Sequence, residues 1–156
     1  MSFEEKMKES YTFKGETILM GAAVLDGKPN GNTKVYLPLK TMNRHGLIAG
    51  ATGTGKTKTL QLIAEGLSNA SVPVMMMDIK GDLSGIGAMG VLNDRIAERC
   101  TQLQVTYKPD ASPIEFLSIS TEPGTRMRAT VSEFGPVLLS KILTLNDTQE
   151  GIVSMI

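Results

Sequence analysis

The sequence predicts an α/β fold: a parallel sheet flanked by helices, built around a glycine-rich loop and preceded by a small β element. Three observations lead there. The run Gly50-Ala51-Thr52-Gly53-Thr54-Gly55-Lys56-Thr57 matches the pattern G-x-x-x-x-G-K-[ST]. A short apolar run at 46–49 enters that loop, as a buried parallel strand would. Leu60, Ile63, Ala64 and Leu67 follow it at helical spacing and form one apolar stripe, with Gln61, Glu65 and Asn69 off it.

Strand, loop and helix in that order make a phosphate cradle. The glycines bring backbone close to phosphate oxygens, and successive N–H groups form an anion nest. The helix dipole adds to it. Lys56 is placed to reach the β and γ phosphates, and the Thr57 hydroxyl to ligate Mg²⁺. Gly50, Ala51, Thr52, Gly53, Thr54, Gly55, Lys56 and Thr57 are therefore the candidate residues for a nucleoside triphosphate such as ATP, with Mg²⁺.

From the N-terminus, 1–14 reads as an arm or short helix, with Phe3, Met7 and Tyr11 at four-residue spacing among Glu and Lys. Residues 15–43 read as the small β element. It has strands at 18–25 and 34–39 and a turn-rich stretch at 26–32 between them, and Pro38 ends the second strand. The nucleotide core is expected over 44–156. After the helix at 56–69 come a second strand at 72–77, ending at Asp78, and a loop at 79–85. A helix follows at 93–103, with Ile96, Cys100 and Leu103 on one face. Strands are expected at 114–119 and 127–133, and a helix at 136–143 with Pro136 in its first position. Asp147 reads as the N-cap of a last helix, with Glu150 completing a capping box. That helix carries Ile152, Val153, Met155 and Ile156, an apolar face at the end of the sequence. A doubly wound domain of five strands needs on the order of 150 residues, at ~30 per βαβ unit. The stretch from Gly46 onward is shorter, so the expectation is a truncated core whose parent protein continues.

Composition narrows the class. Of 156 residues, 41% are apolar, enough for a core, and 16 basic residues balance 16 acidic ones. No basic excess advertises nucleic acid. A single cysteine, Cys100, excludes an internal disulfide and suggests a reduced, cytoplasmic setting. The charged N-terminus lacks a signal-peptide core, and no apolar run approaches a membrane span of about 20 residues.

Asp78, at the end of an apolar strand, is the second site candidate. A carboxylate there can face the ligand crevice and hold Mg²⁺ through water; the alternative is a cap on the turn that follows. Lys80 and Asp82 read as a solvated turn, with an active-site pair as the alternative. No Asp-Glu dipeptide occurs, so the cue for a hydrolytic base is missing, and Glu115 and Glu133 read as surface residues. His45 has no catalytic partner in view. Cys100 and Met75-Met76-Met77 read as core packing, and Arg126 and Arg128 as a solvated face.

Arg44-His45-Gly46, the short strand and the Gly-Ala-Thr-Gly-Thr-Gly-Lys-Thr loop together resemble the start of HerA/FtsK-type ATPases. The string Asp78-Ile79-Lys80-Gly81-Asp82-Leu83-Ser84-Gly85 is similar to the bacterial HerA-like, YjgR-like branch. So are the stretches 133–140 and 145–151. The resemblance runs from about Thr17 to the end of the chain. It implies the N-terminal portion of a RecA-like ATPase whose members form hexameric rings and move or unwind double-stranded DNA. It also implies that the acidic pair lies on a later strand, with Asp78 in a supporting position at the site's edge. The element at 15–43 would be a reduced form of the family's small barrel. Two other readings stay open: a kinase-type phosphotransferase in which Asp78 ligates Mg²⁺, and a non-enzymatic, nucleotide-dependent assembly module.

Overall fold

The computed structural model describes residues 1–155 and divides them into two compact units, Met1–Pro113 and Ile114–Ile156. The first unit is organised on a hairpin. Helix α1 (Phe3–Tyr11) leads into strands β1 (Thr17–Leu25) and β2 (Lys28–Pro38), paired antiparallel from Thr17 opposite Pro38 to Leu25 opposite Lys28. Helix α2 (Lys56–Asn69) packs on β1, while α1 and α3 (Asp94–Leu103) pack on β2. A short 3-10 turn, Ser84–Gly87, lies between α2 and α3.

The hairpin closes more tightly than the turn-rich composition of 26–32 suggests. Asp26 and Gly27 both have positive φ, 49° and 76°, so these two residues alone make the turn. That is the twist-matched conformation Asp-Gly favours in two-residue hairpin loops. Pro29, Asn30, Gly31 and Asn32 therefore belong to β2, with Pro29 opposite Val24. Bulges between Leu19 and Gly21 and between Ala22 and Val24 bend the ribbon. Asn30 Nδ2 donates to Glu4 Oε1 at 2.7 Å and ties α1 down. Lys34 Nζ donates to the Leu103 and Gln104 carbonyls at the end of α3. There it meets the negative end of the helix dipole.

The apolar core is small. Ile18, Ala23, Ala64 and Leu83 are its buried members, with Thr33 fully enclosed beside them in the hairpin. The close approach of α2 to β1 depends on Gly66, where a Cβ would lie 2.6 Å from Ile18 Cγ2. Gln61, read as polar and off the apolar stripe, is buried instead, at 7% exposure.

Several expected strands do not form. The runs 46–49 and 72–77 enter neither of the two sheets found among the described residues. A parallel strand is held only by neighbours on its edges, and these runs have no ladder partner. The parallel sheet is reduced to one pair in the second unit: β3 (Leu117–Ser118) beside β4 (Thr125–Arg126). The fold is thus a small α/β arrangement with one antiparallel and one parallel two-stranded sheet.

In the second unit the strand expected at 127–133 gives way to helix α4 (Val131–Ile142). Thr130 and Glu133 form a capping box that starts it, a T-x-x-E signal within the sequence. Inside it Gly135 is non-helical, with φ 64° and ψ 167°, so Pro136 opens a second helical segment where its missing N–H costs nothing. Helix α5 (Asp147–Val153) is capped by Asn146 with Gln149, one residue before the expected Asp147–Glu150 pair. Ile156, expected on that helix, lies outside the described residues.

Candidate functional site

The glycine-rich loop runs into α2 without a side-chain cap. Gly55 stands at the N-cap position with φ 95° and ψ 17°, and Gly53 has φ 81°; both conformations are costly for any residue with a Cβ. Gly50 meets a different constraint. A Cβ there would lie 2.6 Å from Thr54 Oγ1. Thr54 folds over the loop, its hydroxyl donating to the Ala51 carbonyl at 2.8 Å. Lys56 Nζ donates to the same carbonyl at 2.8 Å, so the ammonium lies against the loop. The first turn of α2 is tightened by Thr59, whose N–H and hydroxyl both reach the Gly55 carbonyl, at 2.9 and 3.1 Å. Uncapped N–H groups, the positive end of a 14-residue helix and a lysine beside them suit a polyanion.

The second part of the site is the loop after Asp78. Asp78 Oδ1 accepts from the N–H groups of Lys80 and Gly81, at 3.2 and 2.8 Å, and Oδ2 from that of Leu83, at 2.9 Å. Loss of solvation would raise the Asp78 carboxyl. The amides of Leu83, Gly81, Lys80 and Asp82 outweigh that and hold it below the ordinary aspartate range. Both oxygens of Asp78 thus hold backbone. Gly81 takes φ 76° to let the loop turn.

This loop is fastened to α2. Gln61 Nε2 donates to the carbonyls of Asp82 and Leu83, at 3.3 and 3.1 Å, and Lys58 Nζ donates to Gln61 Oε1 at 2.9 Å. Asp82 is brought to the start of the helix, where the Thr57 hydroxyl donates to its Oδ2 at 3.2 Å. The carboxylate that touches the glycine-rich loop's helix is therefore Asp82, while Asp78 shapes the turn that carries it. One sequence signal could have found this. Thr57 and Gln61 stand four apart and share a helical face, so a polar pair there points to a polar neighbour.

His45, Arg126 and Arg128 are all exposed. Among the described residues no group of three or more His, Cys, Asp or Glu side chains could hold a metal by itself. A cation here would rest on Thr57, with Asp82 behind it, and on oxygens of its own ligand. No helix among the described residues is long and apolar enough to cross a membrane.

The family model described as "Helicase HerA-like C-terminal" matches residues 24–156. Neither the curated proteins nor the solved structures contain a match to this chain. The matched span holds the glycine-rich loop, the fastened turn at 78–83 and both helices of the second unit, and the chain belongs to the HerA-like helicase C-terminal family.

Proposed function

We propose that residues 50–57 bind ATP with Mg²⁺, and that the chain is the nucleotide-binding part of a HerA-like translocase of the YjgR-like branch acting on double-stranded DNA. The observation that carries this is the loop itself: two left-handed glycines open an uncapped helix beside a folded-back lysine, inside the family's span. Lys56 would exchange the Ala51 carbonyl for phosphate oxygens, and Thr57 would offer its hydroxyl to the cation. Bound Mg²⁺ would supply neutralisation of charge on the phosphates. The sequence holds no Asp-Glu dipeptide at the end of an apolar strand to position water, so this chain binds nucleotide and turns it over negligibly. By the same reading the working form is a cytoplasmic ring of like subunits, hexameric by family resemblance.

A fluorescent ATP analogue titrated into the chain tests the first claim. Lys56→Ala should weaken binding at least about tenfold, or roughly 1.4 kcal/mol. Equal affinity in the variant would refute the assignment. Steady phosphate release by the chain, lost in Lys56→Ala, would overturn the binding-only claim. In a longer HerA-like protein that carries this chain, hydrolysis should rise with double-stranded DNA. Hydrolysis indifferent to DNA would count against translocation.

A further inference from the structure

We infer that Asp82 is the positioning residue for the Thr57 hydroxyl, setting the Mg²⁺ dependence of nucleotide binding; this rests on the nucleotide reading above. A threonine hydroxyl has one proton and two lone pairs. Donated to Asp82 Oδ2 at 3.2 Å, the proton is engaged, and the lone pairs remain available to a cation at the helix N-terminus. A bare hydroxyl would have to give up this choice of rotamer on each binding event.

The bland alternative is a solvated turn aspartate that brushes Thr57 by chance. Three contacts oppose it. Asp78 pins the turn through the amides of Lys80, Gly81 and Leu83. Gln61, buried and one helical turn beyond Thr57, holds the Asp82 and Leu83 carbonyls. The Leu83 side chain is itself in the core, at 7% exposure. The backbone of Asp82 is therefore held in register with α2 from both sides. Among the described residues Thr57 is the one group that donates to its carboxylate.

Charge gives the role a signature that a structural role lacks. A carboxylate beside the loop repels a metal-free triphosphate and favours a metal-loaded one. Removing its charge should move the two affinities in opposite directions. Outer contacts that orient a metal ligand are typically worth 10–100-fold in metal affinity. For Asp82→Asn, binding of a fluorescent ATP analogue in EDTA should tighten, while the gain in affinity on adding Mg²⁺ should shrink about tenfold. Thr57→Ser should keep the Mg²⁺ gain and Thr57→Val should lose it. In the Thr57→Val background, the further loss of the Mg²⁺ gain on Asp82→Asn should be smaller than in the unaltered chain, because only the through-space charge effect remains.

An undiminished Mg²⁺ gain in Asp82→Asn would overturn the inference. So would equal losses with and without Mg²⁺, which mark a structural role, and so would additive losses in the double variant. If the unaltered chain bound no nucleotide under either condition, the nucleotide reading would fall together with it. Binding with Mg²⁺ gains indifferent to Asp82 would remove this inference alone.

Discussion

Among the ionisable side chains, Asp78 carries the clearest pH signature. Its carboxyl is held below its ordinary value of 3.8, because backbone amides outweigh the effect of lost solvation. A depressed folded-state pKa contributes stability that is present above the unfolded value and lost as pH falls through the folded one. The turn at 78–83 should therefore hold from neutral pH down to about 3.8 and open progressively below it. Amide hydrogen exchange at Lys80, Gly81 and Leu83 checks this. Asp78→Asn should raise exchange at those amides about tenfold, by analogy with the loss of a charged hydrogen-bond partner, and should remove the acid dependence. Protection that survives unchanged in the variant would mean that the turn is held from elsewhere. Glu133 behaves in the same sense. The Thr130 amide first, and then its hydroxyl, lower its carboxyl, so the start of α4 should loosen as pH falls through the depressed value.

Single residues also mark where sequence reasoning stops. Asp78 was visible as a strand-terminal acid with two possible roles, and its amide contacts are those of a turn cap. Asp82 reads from the sequence as a solvated turn residue, with an active-site pair with Lys80 as the alternative. Its contact with Thr57 depends on how the turn folds back onto α2, and linear spacing does not encode that.

Helices and strands differ sharply in how far they could be read. Helices α2 and α3 lie within a residue of their expected limits, and α1 falls inside the stretch 1–14 read as an arm or short helix, because a helix satisfies its own hydrogen bonds and advertises its caps. The runs 46–49 and 72–77 have strand composition but no ladder, because pairing is a property of neighbours. Helix α4 is legible from Pro136 onward, but its first turn reads as strand although Thr130 and Glu133 spell a capping box; β propensity in 127–133 conceals it. Two substitutions test the helical elements by urea unfolding. Asn93→Ala removes the side chain that accepts from the Ile96 amide at the start of α3 and should cost about 1 kcal/mol. Gly66→Ala sets two effects against each other. Propensity favours alanine by up to about 1 kcal/mol, but its Cβ would meet Ile18 Cγ2 at 2.6 Å. Overpacking of that kind costs about 1–3 kcal/mol, so the net change should be destabilising. Pairing it with Ile18→Val should recover part of the loss. A more stable Gly66→Ala chain would show that α2 and β1 do not hold each other this closely.

On the scale of the whole molecule, the balance between apolar content and apolar burial stands out. The sequence is 41% apolar, yet the buried apolar core among the described residues is Ile18, Ala23, Ala64 and Leu83. Much of the rest faces solvent around the expected strand at 72–77: Met75 is 72% exposed, Met77 86% and Ile79 98%. Beside them a hollow of about 420 Å³ is lined by Leu39, Met42, Leu67, Val72, Val74 and Met75. Contiguous apolar surface of this kind marks an interaction site or an aggregation liability. Covering one such side chain is worth about 1.5–3 kcal/mol. Three of them approach the roughly 8 kcal/mol of a micromolar contact, before the cost of association is met. The chain in solution should therefore bind a hydrophobic dye and associate at micromolar concentration. Replacing Met75, Met77 and Ile79 together by lysine should reduce both while leaving the far-ultraviolet dichroism of the helices in place. Sedimentation velocity across a concentration series gives the decision. A sedimentation coefficient independent of concentration in the unaltered chain would show that this surface does not drive self-association.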